Sequence, residues 1–178
     1  MKDTEIKSYT LPLSKADIES MKCGEIVRLS GTVYTARDAA HKRFVAALEK
    51  GEKLPFDINT AAIYYCGPTP AREGEIIGSC GPTTSSRMDD YAPALMEAGL
   101  KVMIGKGKRS PAVLEAMKKH RAVYLAGIGG AGALYKHKVK SCECIAYDDL
   151  GCEAVYKLYI ENVELLVAAD YKGNTCLK

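Results

Sequence analysis

Hydroxyl groups and one guanidinium group are concentrated in residues 81–91, which read Gly-Pro-Thr-Thr-Ser-Ser-Arg-Met-Asp-Asp-Tyr. Apolar side chains then recur at helical spacing, and Gly99 follows where a helix would end. That spacing is carried by Met88, Tyr91, Leu95 and Met96. The predicted cap of this helix is Thr84, Ser85 or Ser86. The turn would place N–H groups, hydroxyls and Arg87 at the positive end of a helix, which suits a small carboxylate or phosphate. An ordinary capped helix with a surface arginine is the alternative.

Two further cations are predicted to lie at the ends of elements, facing loops. Lys106 follows a predicted strand between Gly105 and Gly107, and glycine neighbours let a backbone approach a ligand closely. Arg37 opens a predicted helix. Together with Arg87, these residues would form a cationic pocket suited to a dicarboxylate, because a guanidinium grips a carboxylate through two parallel hydrogen bonds. The alternative for Lys106 is a plain turn at the end of a strand.

Asp38 and His41 stand close to Arg37 in the sequence. His41 follows Arg37 by about one helical turn, so both side chains share a helix face. Near Asp38 the imidazole could act as a base, but we favour a surface histidine or a buried one with satisfied hydrogen bonds. His120 and His137 have no comparable neighbours.

Residues 127–132 read Gly-Ile-Gly-Gly-Ala-Gly, a pattern found in dinucleotide-binding turns, with Asp148 and Asp149 about 20 residues later. The residues after Gly132 are too short and too polar a run for the helix that such a site requires. We therefore favour a glycine-rich turn that approaches another backbone closely over a nucleotide site.

The chain has seven cysteines, an odd number that excludes complete internal pairing and favours a reducing compartment. Cys142 and Cys144 alternate on a predicted strand, and Cys152 follows. Three thiolates could hold an iron–sulfur cluster with one open iron. No C-x-x-C is present, however, and we predict no metal site built by this chain alone. The other cysteines are interpreted as packing residues: Cys23, Cys66, Cys80 and Cys176.

Composition and charge narrow the class of protein. The 178 residues are 47% hydrophobic and 26% charged, which is ordinary for one globular domain with a substantial core. The net charge of +3 comes from interspersed charges, so no basic run indicates a nucleic-acid partner. The amino terminus is charged and no apolar run is long enough to span a membrane, which predicts a cytoplasmic location without a membrane partner.

Apolar periodicity predicts one mixed α/β domain over residues 1–178, with strands at both ends and alternating elements between them. Residues 1–13 are predicted to form an extended N-terminal arm. The predicted helices are 14–21, 37–50, 84–98 and 111–119. The predicted strands are 25–35, 61–66, 75–79, 101–104, 122–126, 142–147, 153–161 and 164–169.

Five parts of the chain match, in order, a pattern known from one enzyme family. They are residues 31–41 (Gly-Thr-Val-Tyr-Thr-Ala-Arg-Asp-Ala-Ala-His), 65–68 (Tyr-Cys-Gly-Pro), 81–89, the glycine-flanked Lys106, and 149–155 (Asp-Leu-Gly-Cys-Glu-Ala-Val). The chain thereby resembles the beta subunit of iron–sulfur class I fumarate hydratase, and the similar beta subunit of L(+)-tartrate dehydratase. In single-chain members of the family this segment is the C-terminal domain. At Ser85-Ser86 many relatives have Ala-Gly, a departure expected to change the turn and not the binding residues.

The resemblance implies a swivelling β/β/α fold of the class I fumarase C-terminal type and reversible hydration of fumarate to L-malate. It also implies a [4Fe-4S] cluster held by three cysteines of a separate alpha subunit. The active site would then lie between the two subunits of a hetero-oligomer, and this chain alone would be inactive. Two alternatives stay open: the same chemistry on L(+)-tartrate, and a stand-alone carboxylate-binding or regulatory module.

The resemblance also carries roles onto individual residues of this chain. The residues implied to bind the substrate carboxylates are Arg37, Arg87 and Lys106. Thr83 is implied to stand at the reacting carbon and transfer a proton, for which a neutral threonine needs a partner group from the alpha subunit. Asp38 and His41 match the motif and are assigned supporting roles.

Overall fold

The computed structural model describes residues 6–128 and 130–177. The strands are β1 (Lys7–Thr10), β2 (Ile26–Thr35), β3 (Ala62–Tyr64), β4 (Val102–Gly105), β5 (Val123–Ala126), β6 (Val139–Ala146) and β7 (Val155–Ala169). The α-helices are α1 (Lys15–Ser20), α2 (Asp38–Glu49), α3 (Ala92–Ala98), α4 (Pro111–His120) and α5 (Gly132–Lys136). Short 3₁₀ helices span Ser85–Met88 and Asp148–Glu153. Each described helix is too short or too polar to cross a membrane.

The strands β2, β3, β4, β5 and β7 close into a small barrel. The first four lie side by side and parallel. β7 runs antiparallel to them and pairs with both β5 and β2, which closes the ring. β1 pairs with β2 outside the ring, and β6 pairs with β7. Closure removes the unpaired edges that an open sheet of these five strands would leave.

The parallel strands carry apolar side chains on both faces, and each face contributes to a separate core. Ala62, Val102 and Val123 point into the barrel, where they meet buried residues of β2 and β7. Their neighbours Ile63 and Met103 point outward, where α2, α3 and α4 cover them. The outer core also contains Phe44, Leu95 and Met117 from these helices. Burial on both faces explains why β3, β4 and β5 read as continuous apolar runs in the sequence.

The structure confirms the predicted mixed α/β architecture and most of its elements. The predicted strands 153–161 and 164–169 are one strand, β7. The polar pair Glu161 and Asn162 interrupts the apolar pattern, but the pairing of β7 continues beyond it. Asn162 adopts a left-handed φ of 52°, and its N–H donates to the Ser30 hydroxyl at a β-bulge. The predicted arm contains β1, and residues 1–5 lie outside the described part.

The predicted strand 75–79 is wrong, because these residues form a loop. Ile77 is buried, whereas Ile76 is 54% exposed, so only one apolar side chain of the segment lies in the core. The Ser79 N–H donates to the Thr69 hydroxyl and not to a neighbouring strand. β3 is flanked by β2 and β4, so it has no edge free for an additional strand.

The predicted continuous helix 84–98 is also wrong. The 3₁₀ helix Ser85–Met88 ends in a turn, and α3 begins afterwards at Ala92. Pro93 explains the break, because in a continuous helix its ring would clash with the carbonyl of Asp89 and it has no N–H to donate. The predicted side-chain cap is absent among the described contacts of this 3₁₀ helix.

Residues 83–85 are inserted between the ends of β3 and β4. The Thr83 N–H donates to the Tyr65 carbonyl, and the Lys106 N–H donates to the Thr83 carbonyl. The Ser85 N–H in turn donates to the Lys106 carbonyl. Gly105 makes this insertion possible, because a Cβ there would lie 2.0 Å from Ser85 Oγ. The loop therefore continues the sheet beyond the last paired residues of β3 and β4.

We expect Gly105→Ala to lower the free energy of unfolding by about 1–3 kcal/mol, because the added Cβ overpacks the insertion. The loss should be smaller in a Ser85→Ala background, since the nearest clashing atom is then absent. Urea denaturation of the four proteins of this double-mutant cycle measures the coupling. Gly51→Ala is the control, because a Cβ there meets no atom within 4 Å, so its loss comes from the left-handed φ of 69° and should be the same in both backgrounds. Equal losses from Gly105→Ala in both backgrounds would contradict the interpretation.

Candidate functional site

The predicted site residues lie along one rim of the barrel, at the carboxyl ends of parallel strands. Arg37 follows β2, Gly67 follows β3 and Lys106 follows β4. The inserted loop adds Thr83 and Arg87 to the same rim. In α/β sheets, ligands bind in the crevice outside the carboxyl ends of the strands. The fold therefore brings together the cations and the hydroxyl that the sequence singles out.

The Asp38 carboxylate links the two arginines of the rim. Its Oδ2 contacts Arg87 and lies 4.0 Å from Nη2 of Arg37. On the other side, Arg37 Nε lies 3.1 Å from Glu153 Oε1, an ion pair without hydrogen-bond alignment. Gly67 leaves room for this arrangement, since a Cβ there would lie 2.9 Å from Arg37 Cδ. The two acidic residues thus hold both guanidinium groups in place at the rim.

Thr83 and Lys106 are held by their backbones and not by their side chains. Both side chains are half-buried, and their main chains are hydrogen-bonded to each other. Within residues 6–128 and 130–177, neither the Thr83 hydroxyl nor the Lys106 ammonium has a hydrogen-bond or ion-pair partner. These two groups are therefore available to a ligand in a way that the paired arginines are not.

A buried ion pair connects the loop that carries Arg87 to the segment after β4. Arg109 Nε donates to Asp89 Oδ1 at 2.7 Å, and the Arg109 side chain is only 1% exposed. The other oxygen of Asp89 accepts from the Ser110 N–H at 2.6 Å, at the start of α4. Removing one partner of such a pair typically costs about 3–5 kcal/mol. The pair thus fixes the position of Arg87 relative to Lys106.

Two tyrosines enclose the guanidinium of Arg109. It lies 5.2 Å from the ring centre of Tyr65 and 5.0 Å from that of Tyr124. Burial raises the pKa of Tyr124 to about 12, so its phenol stays neutral. This hydroxyl donates to the Gly107 carbonyl at 2.8 Å and lies 2.8 Å from Ser85 Oγ, which therefore donates to it. Ser85, expected only to alter the turn, is a fully buried part of this layer.

The sequence alone does not identify this supporting layer. Asp89 and Tyr65 lie inside the matched motifs, so their positions carried a signal. Arg109 and Tyr124 follow no recognisable spacing. Their roles come from side-chain contacts across different elements, which a single sequence does not display.

His41 is fully buried beneath the rim. Its Nδ1 lies 2.9 Å from the Arg37 carbonyl, which only accepts, so Nδ1 carries the proton. The same carbonyl accepts the His41 backbone N–H. Burial and the nearby charge of Arg109 together lower the pKa of His41 to about 4, although the hydrogen bond to the Arg37 carbonyl acts in the opposite direction. The histidine is therefore neutral at pH 7 and fixes the first turn of α2.

The glycine-rich turn packs against the inserted loop, as predicted. A Cβ on Gly132 would lie 2.9 Å from the Gly81 nitrogen, and one on Gly127 would lie 3.2 Å from Pro82 Cγ. Gly129, also part of the motif, lies outside the described residues. Asp149 pairs with Arg43 of α2, so its carboxylate is committed to an ion pair. These contacts favour a structural role for the glycines over a nucleotide site.

Several thiols lie near one another, and Cys66, Cys80 and Cys142 belong to the same inner core. Cys66 and Cys80 are buried, and burial raises the pKa of both. Cys142 is half-buried, whereas Cys144 and Cys152 are exposed. In the part of the chain that the structure describes, no three Cys, His, Asp or Glu residues form a group that could hold a metal ion.

The family model of the fumarase C-terminus matches residues 2–178. The chain is 43% identical over 148 residues to the aerobic class I fumarate hydratase of Escherichia coli (strain K12). It is 42% identical over 153 residues to fumarate hydratase 2 of Leishmania major. These alignments cover 82% and 85% of this chain, but only 27% of each relative. The chain thus spans about a quarter of the length of these two proteins.

A relative of similar length occurs in Methanocaldococcus jannaschii. It is 38% identical to this chain over 169 residues, an alignment that covers 92% of this chain and 87% of the relative. It carries the provisional name L(+)-tartrate dehydratase subunit beta.

We expect the burial of His41 to make folding stability depend on pH. The unfolded chain binds a proton at this histidine near pH 6.5, whereas the folded protein does so only near pH 4. Stability is therefore full above about pH 6.5 and falls below it, by up to about 1.4 kcal/mol per pH unit. Urea denaturation between pH 7 and 5 should show this loss, and His41→Asn should reduce it.

An NMR titration of the intact protein provides the direct check, and it does not depend on the variant folding. The His41 ring signals should stay unchanged from pH 7 to pH 5. A midpoint near pH 6.5 would contradict the buried, neutral state.

Proposed function

The chain belongs to the family of fumarase C-terminal domains, and on this premise we propose that it provides the carboxylate-binding half of a class I fumarate hydratase active site. The proposed reaction is the reversible hydration of fumarate to L-malate, and the protein is therefore a proposed hydro-lyase. The observation that carries the proposal is the meeting of Arg37, Arg87, Thr83 and Lys106 on one rim. The proposed fold type is the swivelling β/β/α domain of this family.

Charge complementarity supports a dicarboxylate as the ligand. Asp38 and Glu153 use only some of the donors of the two arginines, because each guanidinium has five N–H groups. The acids therefore orient Arg37 and Arg87 and leave donors for a carboxylate. Lys106, which has no acidic partner among the described residues, supplies a further positive charge. A small dianion would thus meet two guanidinium groups that are already oriented, and the ammonium group of Lys106.

Thr83 is the proposed proton-transfer residue. Its main chain is fixed on both sides, by the Tyr65 carbonyl and by the Lys106 N–H. Its main chain is thereby joined to that of Lys106, and we propose that the Lys106 charge stabilises the negative charge that develops when a proton leaves the carbon next to a carboxylate. A neutral hydroxyl is a weak base, so we propose that a group of the partner subunit completes the transfer.

The proposed partner is the alpha subunit of the enzyme, in a hetero-oligomer located in the cytoplasm. The name of the M. jannaschii relative, a subunit beta, supports a partner chain. Class I enzymes of this kind carry a [4Fe-4S] cluster, and the described thiols of this chain do not fit it, because they gather no group of three ligands. We propose that the alpha subunit holds the cluster.

L(+)-tartrate dehydration is the second candidate function. One observation favours it: the M. jannaschii relative matches this chain over 87% of its own length, whereas the fumarate hydratases contain much more sequence. The same cations suit either dicarboxylate. The match in length between this chain and the M. jannaschii relative concerns subunit organisation as well as substrate.

Anaerobic purification of the tagged chain from its native source tests the proposal. We expect a stoichiometric, iron-containing partner, and a complex that converts fumarate to malate faster than it dehydrates L(+)-tartrate. Faster turnover of tartrate would favour the second candidate. Recovery of the chain without a partner, with substrate-dependent thermal stabilisation, would favour a stand-alone carboxylate-binding module instead.

Two variants of the complex should affect different kinetic constants. Thr83→Ala should lower kcat by roughly 10²–10⁴-fold with little change in KM, because it removes a proton-transfer group. Arg87→Lys should mainly raise KM, by about tenfold or more, because it loses the bidentate grip on a carboxylate. Steady-state assays with fumarate and with malate measure both constants.

Matched controls separate these roles from general disturbance. Ser86→Ala removes an exposed hydroxyl of the same loop, and Arg121→Lys alters an exposed arginine before β5, at the opposite end of the sheet. Both should leave kcat and KM unchanged. A Thr83→Ala complex with unaltered turnover would disprove the proposed role of the hydroxyl.

A further inference from the structure

A groove opens beside Lys106, on the side of the rim formed by β5 and β7. It has a volume of about 490 Å³ and lies between the carboxyl end of β5 and the paired strands β2 and β7. We call it the rim groove. Its apolar lining consists of Ile26, Ala126, Ile128, Leu165, Leu166 and Leu177.

The apolar residues of the rim groove form a continuous row and are not scattered. Ile26 of β2 pairs with Leu166 of β7, which in turn pairs with Ala126 of β5. Ile128 continues the row and is 74% exposed, and Ile26 is 53% exposed. Single exposed apolar residues are common, but a contiguous row rimmed by polar groups marks an interaction surface.

The charges at the groove restrict what can cover it. Glu164 is already paired with Arg28 at 2.6 Å. Lys106 has no acidic partner in the described part of the chain. The groove thus carries one uncompensated positive charge where it meets the candidate site. A covering surface should be apolar and should carry no basic group near Lys106.

The path of the chain indicates which polypeptide covers the rim groove. β1 begins at Lys7, which pairs with Val27, next to Ile26 at the edge of the groove. The amino end of the described chain therefore lies beside the groove. This chain matches about a quarter of the E. coli and Leishmania relatives, and the family is that of the fumarase C-terminus. The family description places this domain at the carboxyl end of such proteins, so the part that precedes it in a fused relative would join the chain at this edge.

We propose that the rim groove is the docking face for the larger subunit of the hydro-lyase, the polypeptide that precedes this domain in the fused relatives. An apolar ridge of that subunit covers Ile26 and Ile128 and leaves Lys106 at the border for the substrate. Stable interfaces bury about 800 Å² on each partner, so the groove forms the centre of a larger contact. The inference rests on the proposed function and adds to it the surface on which the subunits meet.

The test compares complexes purified anaerobically with tagged Ile128→Asp, Ile26→Asp and Tyr159→Asp chains. Tyr159 is the control, because it is 40% exposed on β7 and does not line the groove. Native mass spectrometry measures the amount of larger subunit, identified by peptides that match the amino-terminal part of class I fumarate hydratases. We expect both groove variants to bind it roughly 30-fold or more weakly, as for a buried interface centre. The control should match the wild type.

Hydrogen exchange of the wild-type complex provides a measurement that does not require the variants to fold. The amides of residues 126–128 and 164–166 should exchange more slowly in the complex than in the free chain.

The outcomes separate the docking proposal from the proposed function. Groove variants that keep the larger subunit and full fumarate turnover would overturn the docking proposal and leave the function intact. A wild-type complex without turnover of either acid, but sensitive to Ile128→Asp, would support the docking face and overturn the function. A wild-type chain that forms only homodimers, lost in Ile128→Asp, would mean that a second copy covers the groove and would overturn the docking proposal.

Discussion

The insertion of residues 83–85 between β3 and β4 organises the rest of the rim. It consists of three backbone hydrogen bonds, which join Thr83 and Ser85 to the ends of both strands. Because main-chain groups are obligatory donors and acceptors, this pairing fixes the loop more firmly than side-chain contacts would. Thr83 thereby comes to lie beside Lys106, and Arg87 is carried to the carboxylate of Asp38. Gly105, the buried Ser85 and the tyrosine layer all follow from the need to accommodate this loop.

The rim also has to hold several cations close together without disrupting the fold. Asp38 lies between the two arginines, Glu153 pairs with Arg37 on its other side, and Asp89 pairs with Arg109 underneath. These acids belong to three different segments of the chain. Their charges reduce the repulsion within the cationic cluster, while the exposed side of each arginine stays open. The Arg109–Asp89 pair below the rim is buried, so salt screens it much less than it would screen an exposed pair.

The sequence predicted much of the scaffold, because most elements follow simple periodicity. The strand β2 alternates apolar and polar residues, and α4 begins with a serine cap followed by proline. The predictions failed where tertiary contacts decided the outcome. Apolar periodicity predicted one helix over 84–98, but Pro93 breaks it and α3 begins only at Ala92. The polar residues around Asn162 predicted two strands, but β7 continues through them. The same limit applied to the site. Arg37, Arg87 and Lys106 could be identified by residue type and by motif. The roles of Arg109 and Tyr124 depend on their contacts with the loop that they support, which the sequence does not show.

The double role of β7 has a consequence for how the molecule is made. This strand pairs with β2 and β5, so the barrel cannot close before Val155–Ala169 has left the ribosome. Until then, one edge of β2 and one edge of β5 remain without a partner, and contacts between distant parts of the chain form slowly. A nascent chain in this state exposes edges that are prone to wrong pairing. Synthesis that pauses shortly before Val155 would therefore prolong this vulnerable interval.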